Sequence, residues 1–316
     1  MKNHLIEKNI LKSVVGLRPF REGSVRLEAE QFGDQQWIHN YGHGGSGITI
    51  CWGCAEWVCR QLDGCRDEVA VLGAGAVGLT SALRLLEQGL RVTIYAKDFP
   101  PHTTSDLAGG LWAPTHLCVA DNELRRDLLT WSWRAYQQLE GDHYGVSLVE
   151  MYQSESPHPL DPMPEWLVGE GEPVARLPFG PGAPPGVVWR TYLIQTGTFL
   201  SRLVDDIERL GGRPESRDFT SLAEVETLPQ KVVVNCLGLG AGALLGDPAV
   251  IPIRGQLVYL KPIGRKMVVD HAGGYVISRD DSLVLGGSFE IGETDLRPSE
   301  EMTQKILEGN RSFDWG

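Results

Sequence analysis

Apolar residues recur along the chain in blocks, and the period of each block names an element. Residues 69–96 carry the pattern of one strand–helix–strand unit. "EVAVL" is a short apolar strand and "GAGAVG" a turn. "LTSALRLLEQ" places Ala82, Leu85 and Leu86 at helical spacing, and "RVTIYA" is β-branched and alternating. Gly89 stands where a residue free to turn left-handed closes a helix. A second helix is predicted over 196–212, with Phe199, Leu203, Ile207 and Leu210 on one face. "KVVVNCLGLGAGALL" (231–245) reads as a buried strand entering a glycine-rich turn, and 273–292 as a hairpin with "RDDS" at its tip. Residues 298–313 form a helix capped by Ser299, with acids in its first turn. Upstream, "IHNYGHGGSGITICWGCAEWV" (38–58) is a glycine-rich loop running into an amphipathic segment whose Cys51, Ala55, Val58, Cys59 and Leu62 face a core. The stretch 155–186 is dense in Pro and Gly and reads as loop, irregular strand or surface flap. The order is mixed α/β.

Composition narrows the class. The 316 residues suffice for one large domain or two intertwined ones, and 42% hydrophobic content with mixed charge is globular. A net charge of −12 excludes a nonspecific nucleic-acid binder, which needs a basic face. No apolar run reaches the roughly 20 residues that span a bilayer, so no membrane partner is expected. The N-terminal stretch has charges where a signal peptide needs apolar residues, and "SFDWG" is no targeting tail, so the expected location is cytoplasmic. The CxxC of Cys51 and Cys54 lies inside a helical pattern without a second ligand pair. Its thiols are read as small core residues, and no metal is expected.

Gly73, Gly75 and Gly78 form GxGxxG between predicted strand and helix, the context that lifts this motif above chance. The spacing permits a tight turn, a close approach of a pyrophosphate and close helix–strand packing. The anion would rest on the helix N-terminus. A ribose-binding acid is expected after the second strand, but Lys97 stands there and Asp98 follows. Downstream, Thr103, Thr104 and Ser105 offer hydroxyls to phosphate or ring edges, Asp106 a cap, and Ala108, Gly109 and Gly110 room for a flat ring.

"VLGAGAVGLTSALRLL", "YAKDFPPHTTSDLAGGLWAP", "VVVNCLGLGAGAL" and "IRGQLVYL" resemble, in that order, successive signatures of the D-amino-acid oxidases. "GGYVISRDDSLVLGGSF" resembles the family's strand with a carboxylate-binding tyrosine. The family's closing arginine strand, HNYGHGG loop and last helix are matched at the front, by residues 14–31 and then 38–58. The chain thus resembles a circularly permuted member, the family's ends meeting near 63–68 and the new ends lying between Phe313 and Ile10. The implied fold is an FAD-binding Rossmann-like domain of the glutathione-reductase type, with an interleaved substrate domain on a mixed or antiparallel sheet. Residues 32–115 and 195–250 would form the first, and 1–31, 116–194 and 251–316 the second.

The resemblance implies FAD and oxidative deamination of a D-amino acid to its imino acid and then 2-oxo acid, with O2 reduced to H2O2. Arg18 and Tyr275 would hold the substrate carboxylate, and the Gly45 carbonyl would accept from the amine. Arg21 would be structural, and His39 and His43 satisfied loop residues rather than bases. FAD contacts carry over to Gly73, Gly75, Ala76, Val77, Gly78, Lys97, Asp98, Thr103, Thr104, Ser105, Gly110, Leu111, Phe219, Cys236 and Gly238. The displaced loop adds Gly44, Gly45, Ser46, Gly47, Ile48 and Thr49. Leu111, Ala113, Thr115 and His271 would line the substrate pocket, His271 standing where many relatives have a lid tyrosine. Alternatives left open are an oxidase of glycine, D-aspartate or a pathway-specific amino acid, a flavin-binding protein without turnover, and a nicotinamide dehydrogenase. A homodimer is compatible with all of them.

Overall fold

A computed structural model describes residues 8–154, 162–177 and 182–311. Two sheets organise it. The first has six strands in the order β2 (Arg26–Phe32), β3 (Gln35–Tyr41), β10 (Val232–Asn235), β4 (Val69–Leu72), β5 (Val92–Ala96) and β9 (Arg213–Ser216). All neighbours are parallel except β2, which runs antiparallel to β3 at one edge. Strands buried on both faces have no polar face to show, which explains the unbroken "VAVL" and "VVV" runs. In β4, Val69 and Val71 join the main core, while Ala70 and Leu72 pack on the far side with Trp37, Val225 and Leu228.

The main core lies under three helices: α1 (Gly47–Gln61), α2 (Ala76–Glu87) and α3 (Asn122–Leu139). α1 packs on both of the others; Cys51, Ala55, Val58, Cys59 and the C-cap Leu62 are buried as the spacing predicts, and Cys54 is buried with them. Burial pushes the Cys51 and Cys59 thiols up to about 12, so they are packed thiols and not thiolates. The predicted helix after residue 195 runs Thr196–Arg209, with Phe199, Leu203 and Ile207 buried. Leu210 departs from the prediction: it caps the helix instead of continuing it and is 40% exposed.

The second sheet has nine strands. Its path is β1 (Ile10–Arg21), β11 (Val250–Leu260), β14 (Leu283–Gly286), β13 (Gly274–Ser278), β12 (Met267–His271), β6 (Val146–Ser154), β8 (Gly186–Ile194) and β7 (Glu172–Val174), and β15 (Glu290–Ile291) joins β11. The predicted hairpin is β13–β14, closed by Arg279 N–H donating to the Ser282 carbonyl. β2 lies in the six-stranded sheet, so the chain passes from one sheet to the other between β1 and β2. Within the proline-rich stretch, residues 165–168 make one helical turn and 172–174 form β7, while 155–161 and 178–181 lie outside the described residues. The C-terminal helix runs Glu300–Gly309, and the Ser299 hydroxyl accepts from the Met302 N–H as expected of its cap; residues 312 and 313 lie outside the described chain.

Gly53 sets the contact between α1 and α3. A Cβ there would stand 2.1 Å from the Leu128 carbonyl oxygen, a backbone atom that cannot turn away. Gly53→Ala therefore overpacks the helix pair and should cost about 1–3 kcal/mol, read as a lower urea midpoint. An unchanged midpoint would mean that α1 and α3 separate freely.

Candidate active site

A cavity of about 540 Å³ opens where the two sheets meet. One wall is built from turns at the C-terminal ends of parallel strands: residues 73–78 after β4, Lys97 and Asp98 after β5, residues 236–240 after β10 and residues 43–45, 47 and 48 after β3. Crevices at such strand ends are where open α/β sheets bind ligands. The other wall is the nine-stranded sheet, represented by Arg18, Gly255, Val268, Asp270, Tyr275 and Ile277.

The nucleotide end has the features of an anion cradle. Gly73 has φ +106°, and a Cβ there would lie 2.5 Å from the Cys236 carbonyl oxygen, so only glycine joins β4 to α2 at this distance from β10. At Gly78 a Cβ would meet the Gly73 carbonyl at 2.0 Å. α2 has no acid in its first turn and no capping side chain at Gly75; the Ser105 hydroxyl accepts from Ala76 N–H at 3.0 Å. The remaining amides and the helix dipole present positive potential to a phosphate. Thr103 and Asp106 form a reciprocal capping box around Thr104–Leu107, as the Asp106 cap predicts. At the rim, Lys97 Nζ lies 3.6 Å from Asp218, a residue that sequence reasoning missed; like Asp98 it lines the cavity and adds a second acid there. Phe219 does not line the cavity. Its ring packs edge-on against Tyr95 beneath the rim.

The glycine-rich loop after β3 is brought to the same cavity. Gly44, Gly45, Gly47 and Ile48 line it, and α1, like α2, starts without an acid or a side-chain cap. Ser46 and Thr49 turn away. Their hydroxyls donate to the Thr115 and Ala113 carbonyls at 2.7 Å each, which ties the loop to residues 113–115. Leu111 and Thr115 line the cavity; Ala113 is buried behind it.

At the opposite end, Arg18 and Tyr275 converge. Arg18 Nη1 donates to the Ser288 carbonyl at 3.4 Å, and among the described residues no carboxylate pairs with it. The guanidinium lies over Gly255, where a Cβ would come within 2.3 Å of Nη1. The Tyr275 hydroxyl stands 2.9 Å from the position of a Cβ on Gly287, next to Ser288. Two donors thus reach one short segment from different strands, and Arg18 retains donors for an anion. Arg21, by contrast, is tied to Asp247 at 2.8 Å.

The histidines divide. His39 is a buried strand residue held by Glu30 at 2.7 Å and Asn235 at 3.3 Å. His43 lines the cavity against Cys54, and burial pushes its imidazole down to about 4, so it is neutral at pH 7. His271 lies outside the lining, because its ring faces the C-terminal helix and bonds Asn310 at 2.8 Å. Its neighbour Asp270 points in instead, as alternation along β12 requires. His116 and Phe289, with ring centres 4.3 Å apart, lie at the cavity and were also missed.

With this geometry in place, comparison with known proteins is informative. The FAD dependent oxidoreductase family profile matches residues 68–313. A D-amino-acid oxidase of Streptomyces coelicolor is 34% identical over 256 residues, 78% of this chain and 78% of that protein. The chain belongs to the D-amino-acid oxidase family. A human D-aspartate oxidase is 29% identical over 251 residues, 76% of this chain and 73% of that one. Among solved structures, a glycine oxidase from Bacillus cereus superposes with a TM-score of 0.59 at 15% identity, covering 78% of each chain, which speaks for the fold alone. The family's cofactor is FAD, and the uncapped α2 N-terminus with its glycine turn suits the pyrophosphate.

The depressed His43 gives a pH signature. An unfolded histidine titrates near 6.5, so below that pH the unfolded chain binds a proton that the native one refuses. Stability therefore falls as pH drops from about 6.5 to 4, by up to roughly 3 kcal/mol from this one group. Asp270 works in the opposite sense over the same range, since burial raises its carboxyl to about 6. The readout is therefore the difference between wild type and His43→Gln, with urea midpoints expected to converge toward pH 4. A constant difference would show that His43 titrates normally.

Proposed function

We propose that the chain is an FAD-dependent oxidase of D-amino acids, with Arg18 and Tyr275 holding the substrate carboxylate. The observation that carries the reading is the convergence of these two side chains near Ser288, inside the cavity whose other wall is the glycine fingerprint. A planar guanidinium and a phenol set a carboxylate in one orientation, which fixes the direction of Cα–H and removes the entropy of alignment. Bound FAD supplies the two-electron acceptor: Cα–H and an amine proton leave the substrate as the imino acid forms, and O2 takes up both as H2O2. Water then hydrolyses the imine to 2-oxo acid and ammonia. Gly45 lines the same cavity, and its carbonyl would accept from the amine. No side-chain base is needed if the amine binds neutral, which fits a His43 buried against a thiol and a His39 held by Glu30. Anaerobic bleaching of the flavin across D- and L-amino acids tests the reading; bleaching by L-amino acids alone, or by none, overturns it.

Arg18→Ala should lower kcat/KM by roughly 30-fold to several thousand-fold, through KM and turnover together, as expected when one partner of a buried charged pair is lost. Flavin content should stay at the wild-type level. Unchanged kinetics would remove the clamp.

We also read the fold as the family's glutathione-reductase-type architecture in circularly permuted order. In support, the family match begins at residue 68, yet β1 pairs with β11 along its whole length and β3 pairs with β10. The first strand also touches the C-terminal helix, with the Ser13 and Thr303 hydroxyls 3.2 Å apart. A chain reordered as 68–316 followed by 1–67 should fold, bind FAD and melt within a few degrees of the original. Failure of that chain to bind FAD would count against the permuted order.

A further inference from the structure

One side chain in the cavity has no role in the clamp. Asp270 is the penultimate residue of β12, is 1% exposed and lines the cavity. One carboxyl oxygen accepts from the Gln153 amide at 3.1 Å, and the other, equally buried, has no hydrogen-bond partner. Among the described residues no cation is paired with it. A buried carboxyl oxygen without a donor is costly, so a site that keeps one is built to receive a donor from outside the chain.

Register shows where that donor would come from. Asp270 stands opposite Tyr275, Val268 opposite Ile277, and Gln153 of β6 opposite Asp270. Opposed residues share a face, so these side chains form one floor. Across that floor the strand order is β14, β13, β12, β6. The Tyr275 ring leans toward β14, over Gly286 and Gly287, where Arg18 also arrives. Asp270 lies on β12, two strand spacings or about 10 Å from β14. A substrate anchored by its carboxylate at the β14 end would therefore carry its side chain along the floor toward Asp270. Val268 and Ile277, the next opposed pair on the same face, are apolar and suit a methylene stem.

We propose that Asp270 is a specificity-determining residue that selects substrates whose side chain ends in a cation, an ammonium or guanidinium on an aliphatic stem. This rests on the carboxylate-clamp reading of the same cavity. A terminal cation would give the orphaned oxygen its donor and its counter-charge together, whereas a purely aliphatic side chain would leave the carboxyl buried and unpaired. The carboxyl, raised to about 6 by burial, is ionised at neutral pH.

Two pairs of compounds test this on the FAD-loaded protein at about pH 8. ε-Aminocaproate and caproate carry the carboxylate and stem without an α-amine, so neither is oxidised; their binding is read from the visible flavin spectrum. D-Lysine and D-norleucine give the same comparison in turnover. Wild type should bind ε-aminocaproate roughly 10-fold or more tightly than caproate and favour D-lysine by a similar factor in kcat/KM. Asp270→Asn should abolish both preferences, and Asp270→Leu should reverse them. Equal or weaker binding of ε-aminocaproate by wild type overturns the proposal, as does an unchanged ratio in Asp270→Asn. If no D-amino acid bleaches the flavin while the ε-aminocaproate preference holds, the oxidase reading fails and the cation site stands.

Discussion

The parallel placement of β10 between β3 and β4 is the constraint from which the site follows. It brings two strands from the first quarter of the chain and one from its last third to a common edge, and their turns leave that edge together. The residue-73 turn, the residue-236 turn and the residue-43 loop therefore line one cavity, although up to about 190 residues separate them in sequence. The packing tolerance is small: Gly73 fits against Cys236 only because it lacks a Cβ. Two helices, α1 and α2, then start at this edge without acids in their first turns. Their positive ends meet at the same opening, an arrangement that a single strand–helix unit would not produce.

The second sheet supplies what the first lacks. Parallel strand ends offer amides and dipoles, which recognise phosphates and flat rings but discriminate poorly among small substrates. Away from the rim with Lys97, Asp98 and Asp218, side-chain charges come from the nine-stranded sheet, where Arg18 and Asp270 stand on strands well apart in its order, with Tyr275 between them. The guanidinium and the carboxylate thus share one cavity without pairing with each other. Arg21, only three residues from Arg18, shows the opposite outcome: Asp247 is within reach and the cation is consumed in structure.

Much of this was legible in the sequence because local spacing carried it. The strand–helix–strand unit, the Thr103–Asp106 cap, the Ser299 cap and the β13–β14 hairpin each depend on neighbours within a few residues. The glycine fingerprint was legible because its spacing has a recognisable local frame, whereas Arg18 stood out only through the family resemblance, and the fold brings it to the cavity. Phe219, Ser46, Thr49 and His271 stand off the cavity for reasons that lie elsewhere in the chain. Ser46 and Thr49 find carbonyls at 115 and 113, and His271 finds Asn310 on the C-terminal helix. Asp218 was hidden for the same reason, since only the fold brings it to Lys97.

Asp270 is the instructive omission, because a signal was present in "MVVDHAGGYVIS". A carboxylate and a histidine sit next to each other in an apolar strand, so one must face each side of the sheet. The sequence resemblance drew attention to His271, the position with a known counterpart. Alternation says only that the two differ; it does not say which one faces the ligand. The choice is made by pairing: Asp270 opposes Tyr275 in the β12–β13 register, and Tyr275 faces the cavity. Once Tyr275 is placed, the parity of the strand sends Asp270 inward and His271 to the helix, and no other assignment is compatible with the ladder.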